Sequence, residues 1–146
     1  MKLLVGVDLS ESTEKILKKA EEVAKALSAK VWLLHVAMPE PDFVGFEVGP
    51  QTVRDSISKE FHEEHCHIQN LAERLRKAGL DTTALLIQGS TAETILNEAS
   101  KLNIDMIVVG SHGRGAMYQL LVGSVSEGVL RKSACPILVI PTHEGT

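Results

Sequence analysis

A doubly wound α/β domain, one parallel sheet with helices on both faces, is the fold class that three observations predict. Five short apolar runs recur along the 146 residues: Leu3–Val7, Val31–Val36, Thr82–Ile87, Asp105–Val109 and Ile137–Ile140. Stretches with helical spacing separate them, and strands alternating with helices make a parallel sheet covered on both sides. A glycine-rich segment follows the fourth run directly, at the edge where such sheets bind ligands.

The elements can be justified in chain order. Leu3–Val7 is continuously apolar, as a strand buried on both faces must be. Ser10 is placed to cap the next helix, with Glu11 and Glu14 in its first turn. Ile16, Leu17, Ala20, Val23, Ala24 and Leu27 then repeat at helical spacing. Val31–Val36 is the second strand. Residues 39–50 hold three prolines and two glycines and predict a loop. A long helix is expected from about Thr52 to Ala78, with the stripe Val53, Ile57, Phe61, Ile68, Leu71, Ala72 and Leu75, and with Gly79 as its stop. After the third strand, Ser90-Thr91-Ala92-Glu93 has capping-box spacing before a helix carrying Ile95, Leu96, Ala99 and Leu102. A further helix is expected over 125–131. No linker or repeat interrupts the chain, so residues 1–146 are expected to form one domain.

Composition excludes several function classes. The chain is 44% hydrophobic and 23% charged, ordinary values for a soluble globular domain. A net charge of −4 argues against nucleic acid as the main partner. One Trp, one Tyr and three Phe are too few for a base-stacking platform. No apolar run approaches the ~20 residues that span a bilayer, so no membrane partner is expected. The apolar stretch after Lys2 is too soon interrupted by Asp8 for a signal peptide. Cys66 and Cys135 form no metal or redox spacing, which favours the cytoplasm.

The chemistry concentrates in Gly110-Ser111-His112-Gly113-Arg114-Gly115 and in Gly123-Ser124-Val125-Ser126. Glycines let backbone N–H groups approach an anion with no Cβ in the way. Gly123-Ser124 would open the helix over 125–131, and a helix N-terminus offers unpaired N–H donors and a partial positive charge. A strand, a glycine turn and a second glycine turn at a helix start together make a phosphate site. The Gly-x2-Gly-x9-Gly-Ser spacing is neither a Walker A loop, which needs Gly-Lys-Ser/Thr, nor the dinucleotide fingerprint. Asp8 and Gly110 both fall at the carboxyl edge of the expected sheet, so a carboxylate lies beside the phosphate site.

These residues resemble the universal stress protein family over nearly the whole chain. The resemblance is carried by Val5-Gly6-Val7-Asp8-x-Ser10, by Leu34-His35-Val36, by the glycine segments, and by Ser133-x-Cys135-Pro136 with Ile137–Ile140. It implies a Rossmann-like five-stranded sheet of order 3-2-1-4-5, and ATP in the crevice, since the complete glycine pattern marks the nucleotide-binding branch. It implies that Asp8, with Val7 in the same site, contacts the nucleoside and that the Val36 backbone pairs with adenine. Gly110, Gly113, Gly123, Ser124, Val125 and Ser126 would surround ribose and phosphates. Mg²⁺ or Mn²⁺ would ride on those phosphates. A homodimer through strand 136–141 is also implied.

Some residues keep two readings. His112 and Arg114 sit in the glycine loop and either touch phosphates or stay solvated. His35 lies on a strand covered on both faces and reads as a satisfied core histidine. His62, His65 and Cys66 share one helix side, a spacing zinc or copper can use, but a closed zinc site needs four ligands and a solvated segment is the plainer reading. Glu64 stands near the middle of the apolar stripe, which suggests that the helix leaves the sheet there or meets a partner. No dedicated hydrolytic set is evident. The function expected is thus a nucleotide-responsive stress module with an unknown client. A slow ATPase or phosphotransferase using Asp8, His112 or Arg114, and an interaction module with incidental nucleotide, are its rivals.

Overall fold

Each strand divides its side chains between two cores, and that division is what builds the molecule. In the computed structural model, residues 1–37, 51–110 and 132–141 are described, with only the backbone at 51–58 and 91. The order is β1 (Lys2–Gly6), α1 (Thr13–Leu27), β2 (Lys30–Ala37), α2 (Gln51–Lys77), β3 (Thr82–Gln88), α3 (Thr91–Lys101), β4 (Met106–Gly110) and β5 (Ile137–Ile140). The sheet order is β3-β2-β1-β4-β5, and all four pairings are parallel. The expected loop at 39–50 and helix at 125–131 lie outside the described residues.

Successive strand residues point to opposite faces. Leu3, Val5, Val7, Val31 and Leu33 pack with Ile16, Leu17, Ala20 and Ala24 of α1 and with Ile68, Leu71, Ala72 and Leu75 of α2. Leu4, Trp32, Leu34, Ile107 and Val109 pack on the other face with Ile95 and Ala99 of α3. Both faces of β1 are therefore closed, and Leu3, Leu4 and Val5 are fully buried. Burying each such side chain contributes about 1.5–3 kcal/mol. An exposed ion pair contributes about 0–1 kcal/mol. The two apolar layers, not the surface charges, hold the fold.

Helix ends follow local chemistry, with two departures from expectation. Gly79 stops α2 in the left-handed region at φ +97°, and Leu80 N–H folds back onto the Leu75 carbonyl at 3.1 Å. Ser10 does not cap α1. Its hydroxyl donates to Asp8, its carbonyl accepts Thr13 N–H at 3.1 Å, and the helix starts only at Thr13, with no side-chain cap bond from Ser12. Ser90 stands at the start of α3 in extended backbone, yet its carbonyl and not its hydroxyl is used, accepting Thr94 N–H at 2.9 Å.

The two ends of the sheet differ. At the amino ends, Trp32 lies beneath two ammonium groups, Lys30 Nζ at 4.7 Å and Lys2 Nζ at 5.9 Å from the ring centroid. β5 is an edge strand paired only with β4 among the described residues, and Val139 on it is 40% exposed. Among the described residues no helix is long and apolar enough to cross a membrane.

Helices α1 and α2 are also joined across their outer surfaces. Arg74 donates to Glu14 twice, Nη1–Oε1 at 2.7 Å and Nη2–Oε2 at 2.9 Å. That hydrogen bonding holds the Glu14 carboxyl below its ordinary value and raises Arg74. Both side chains are more than half exposed, so water discounts the pair to about 1 kcal/mol at most. A depressed carboxylate contributes stability above its unfolded pKa, and that stability is lost as pH falls through the folded value. Glu14→Gln is therefore expected to lower the urea midpoint slightly near neutral pH and to match the parent below the carboxylate range. A difference that persisted in acid would show that charge is not its source.

Candidate functional site

The strand order reverses between β1 and β4, and their carboxyl ends leave the sheet side by side. Val5 pairs with Val108, and two residues further on the chains reach Val7 and Gly110. On the other flank Gly6 pairs with Leu34, and two residues further on are Asp8 and Val36. Val7, Asp8, Val36 and Gly110 thus converge at one crevice, the place where open α/β sheets take their ligands. The remaining predicted site residues, His112, Gly113, Arg114, Gly123, Ser124, Val125 and Ser126, lie outside the described residues.

The turn after β1 is built to hold a carboxylate. Val7 N–H donates to the Leu34 carbonyl at 2.9 Å, carrying the ladder one bond past the strand. Asp8 then folds into an Asx turn: its Oδ1 accepts the Ser10 N–H at 2.9 Å and the Ser10 hydroxyl at 2.5 Å. Between them Leu9 takes a φ of +60°, a left-handed conformation that costs a non-glycine residue about 1–3 kcal/mol. Such strain persists only where the surroundings over-determine it, and it gathers at functional turns. The outcome is a half-buried carboxylate held on a short turn at the switch point.

Val36 is half-buried and lies past the last β1–β2 ladder pair, while β3 still pairs with it through Ile87. Its main chain on the β1 side therefore borders the crevice. Gly110 is buried at the end of β4, still paired with Ile140. A charged acceptor, a strand main chain and the end of β4 at Gly110 suit a ligand with hydroxyl and amino donors.

His35 behaves as a satisfied histidine, with a partner that explains Glu64. Its Nδ1 lies 2.9 Å from the Val7 carbonyl and its Nε2 lies 2.7 Å from Glu64 Oε2. Neither expectation for Glu64 is what the structure shows: α2 stays against the sheet there, and the carboxyl is taken up within the chain by His35 of β2. That partnership was not itself legible in the sequence; its trace was an acidic residue inside an apolar stripe. His62, His65 and Cys66 are exposed on α2, as a solvated face requires, and Cys66 Sγ lies 3.7 Å from His62 Nε2.

Comparison with known proteins now bears on the crevice. The model of the universal stress protein family matches residues 1–141. The chain belongs to that family. Universal stress protein YxiE of Bacillus subtilis is 31% identical over 144 residues, covering 95% of this chain and 97% of its own length. The solved structure of protein MJ0577 from Methanocaldococcus jannaschii superposes with a TM-score of 0.73 at 28% identity, covering 99% of this chain and 97% of that one. A universal stress protein crystallised in complex with cAMP superposes with a TM-score of 0.70 at 22% identity, covering 98% of both chains. The β3-β2-β1-β4-β5 order is the one the universal stress protein resemblance implied.

Proposed function

We propose that this universal stress protein binds an adenine nucleotide, ATP, in the crevice between β1 and β4, and acts as a nucleotide-responsive module with at most slow hydrolysis. The observation that carries this reading is the Asp8 turn standing at the switch point beside Gly110, where the Gly-x2-Gly-x9-Gly-Ser segment begins. Asp8 is assigned to the nucleoside hydroxyls, with Val7 beside it, and the Val36 main chain to the adenine edge. Gly110, His112, Gly113, Arg114, Gly123, Ser124, Val125 and Ser126 are assigned to ribose and phosphates. The cAMP bound by a protein of the same fold supports the adenine class. Asp8 Oδ1 is engaged by the Ser10 N–H and hydroxyl, a fixed carboxylate suited to holding a ligand, which supports binding over turnover. Mg²⁺ or Mn²⁺ would be held by the phosphates and would neutralise their charge. The half-exposed β5 edge, with Val139 on it, supports a homodimer through residues 136–141, since an apolar edge left uncovered invites aggregation.

Purified protein should release an adenine nucleotide on denaturation, identified by mass. The stripped protein should then bind ATP in calorimetry and turn it over no faster than slowly at stoichiometric enzyme. Rapid turnover would favour the ATPase reading. No binding of ATP, AMP or adenosine would leave an interaction module.

A further inference from the structure

We propose that His35 and Glu64 form a positioning pair that sets the Asp8 carboxylate from helix α2, an inference that rests on the nucleotide reading for its functional consequence. His35 projects from β2 one residue before Val36, and its side chain is 12% exposed. An oxygen faces each nitrogen of its ring. The Val7 carbonyl at 2.9 Å can only accept, so Nδ1 carries a proton and donates. Glu64 Oε2 at 2.7 Å from Nε2 requires one further proton between ring and carboxyl. The ring is thereby held at both ends: the Val7 carbonyl keeps the proton on Nδ1, and Glu64 fixes the ring's orientation through Nε2.

That ring holds the peptide on which Asp8 is mounted. Val7 N–H is tied to Leu34 and the Val7 carbonyl to His35, so the Val7–Asp8 peptide plane has little freedom. Asp8 follows immediately, then Leu9 in its left-handed conformation, then Ser10 bonded back to Asp8. A turn carrying such strain relaxes unless its entrance is pinned. Glu64 itself stands one helical turn before Ile68, which is fully buried. A carboxyl group on the core-facing side of a helix is costly unless it is paired, and His35 is the pairing. The bridge makes α2 part of the site without touching the ligand.

The test compares Glu64→Leu with Glu64→Gln in nucleotide-stripped protein. Leucine suits the apolar stripe and removes the acceptor, so the variant should fold with equal or higher thermal stability. Its Ser10 amide should exchange faster by about tenfold, the slowly exchanging proton shared between His35 Nε2 and residue 64 should vanish, and ATP should bind about tenfold more weakly. Glutamine keeps a hydrogen-bonding group facing Nε2 and should restore Ser10 protection and ATP affinity. Parent-like Ser10 exchange and ATP affinity in Glu64→Leu would overturn the positioning role. A parent protein that binds no ATP, with Ser10 exchange still faster in Glu64→Leu and rescued in Glu64→Gln, would overturn the nucleotide reading while the positioning of Asp8 stands.

Discussion

Asp8→Ala is expected to weaken adenosine and ATP by the same factor. The carboxylate stands two residues past the Gly6–Leu34 pair and level with Val36; the proposed function assigns it to the nucleoside, so its loss would remove an interaction both ligands share. A hydrogen bond to a charged group is worth about 1.5–3 kcal/mol, or roughly ten- to hundredfold in affinity. Alanine also removes the acceptor for the Ser10 N–H and hydroxyl, so the turn through Leu9 loses a restraint. Asp8→Asn separates the two effects, because asparagine keeps an Asx-turn oxygen while discarding the charge. Calorimetry with ATP, AMP and adenosine on stripped protein reads the pattern. An unchanged adenosine affinity beside a weakened ATP affinity would move Asp8 to the phosphate side and reject the nucleoside assignment.

Gly113→Val is expected to abolish ATP binding altogether while far-UV dichroism stays that of the parent. Gly113 stands in the sequence three residues after the end of β4; with no Cβ, it is where the proposed site would let backbone and anion come closest. A branched side chain there fills the ligand's space rather than removing one bond, so the loss should exceed that of Ser124→Ala, which deletes a single hydrogen bond worth about 1.5–3 kcal/mol. The loss should also be far greater for ATP than for adenosine, the reverse of the pattern at Asp8. Full ATP affinity in Gly113→Val would remove the glycine segment from the site.

The fold was largely legible because burial on both faces leaves a plain record. A central strand must be apolar at every position, as Leu3-Leu4-Val5 is, and Ile137–Ile140 appears with the expected bounds. Asp8 and Gly110 were legible for the same reason, since the ends of such runs mark the carboxyl edge of the sheet. Cap chemistry was less legible. Ser10 has the residue type of a cap, but its hydroxyl is drawn to Asp8 two positions back, and the helix starts later. Ser90 contributes its carbonyl instead of its side chain. The His35–Glu64 pair spans 29 residues and depends on how α2 packs on β2, which no local pattern encodes. Only the misfit of a carboxylate among apolar neighbours hinted at it.

The placement of Trp32 gives the chain a built-in optical reporter. It is the only tryptophan, it is nearly buried, and it lies at the amino-terminal end of the sheet beneath Lys2 and Lys30. Val36 is four residues further along the same strand, about 13 Å away at the usual strand rise. Indole emission should therefore follow the integrity of the α3-side core without direct contact from a ligand at the opposite edge. Melting curves read at this one fluorophore would record nucleotide binding purely as a rise in midpoint. Because a ligand that binds only the folded state adds RT ln(1 + [L]/Kd) to stability, titrating that midpoint yields an affinity with no label and no substitution.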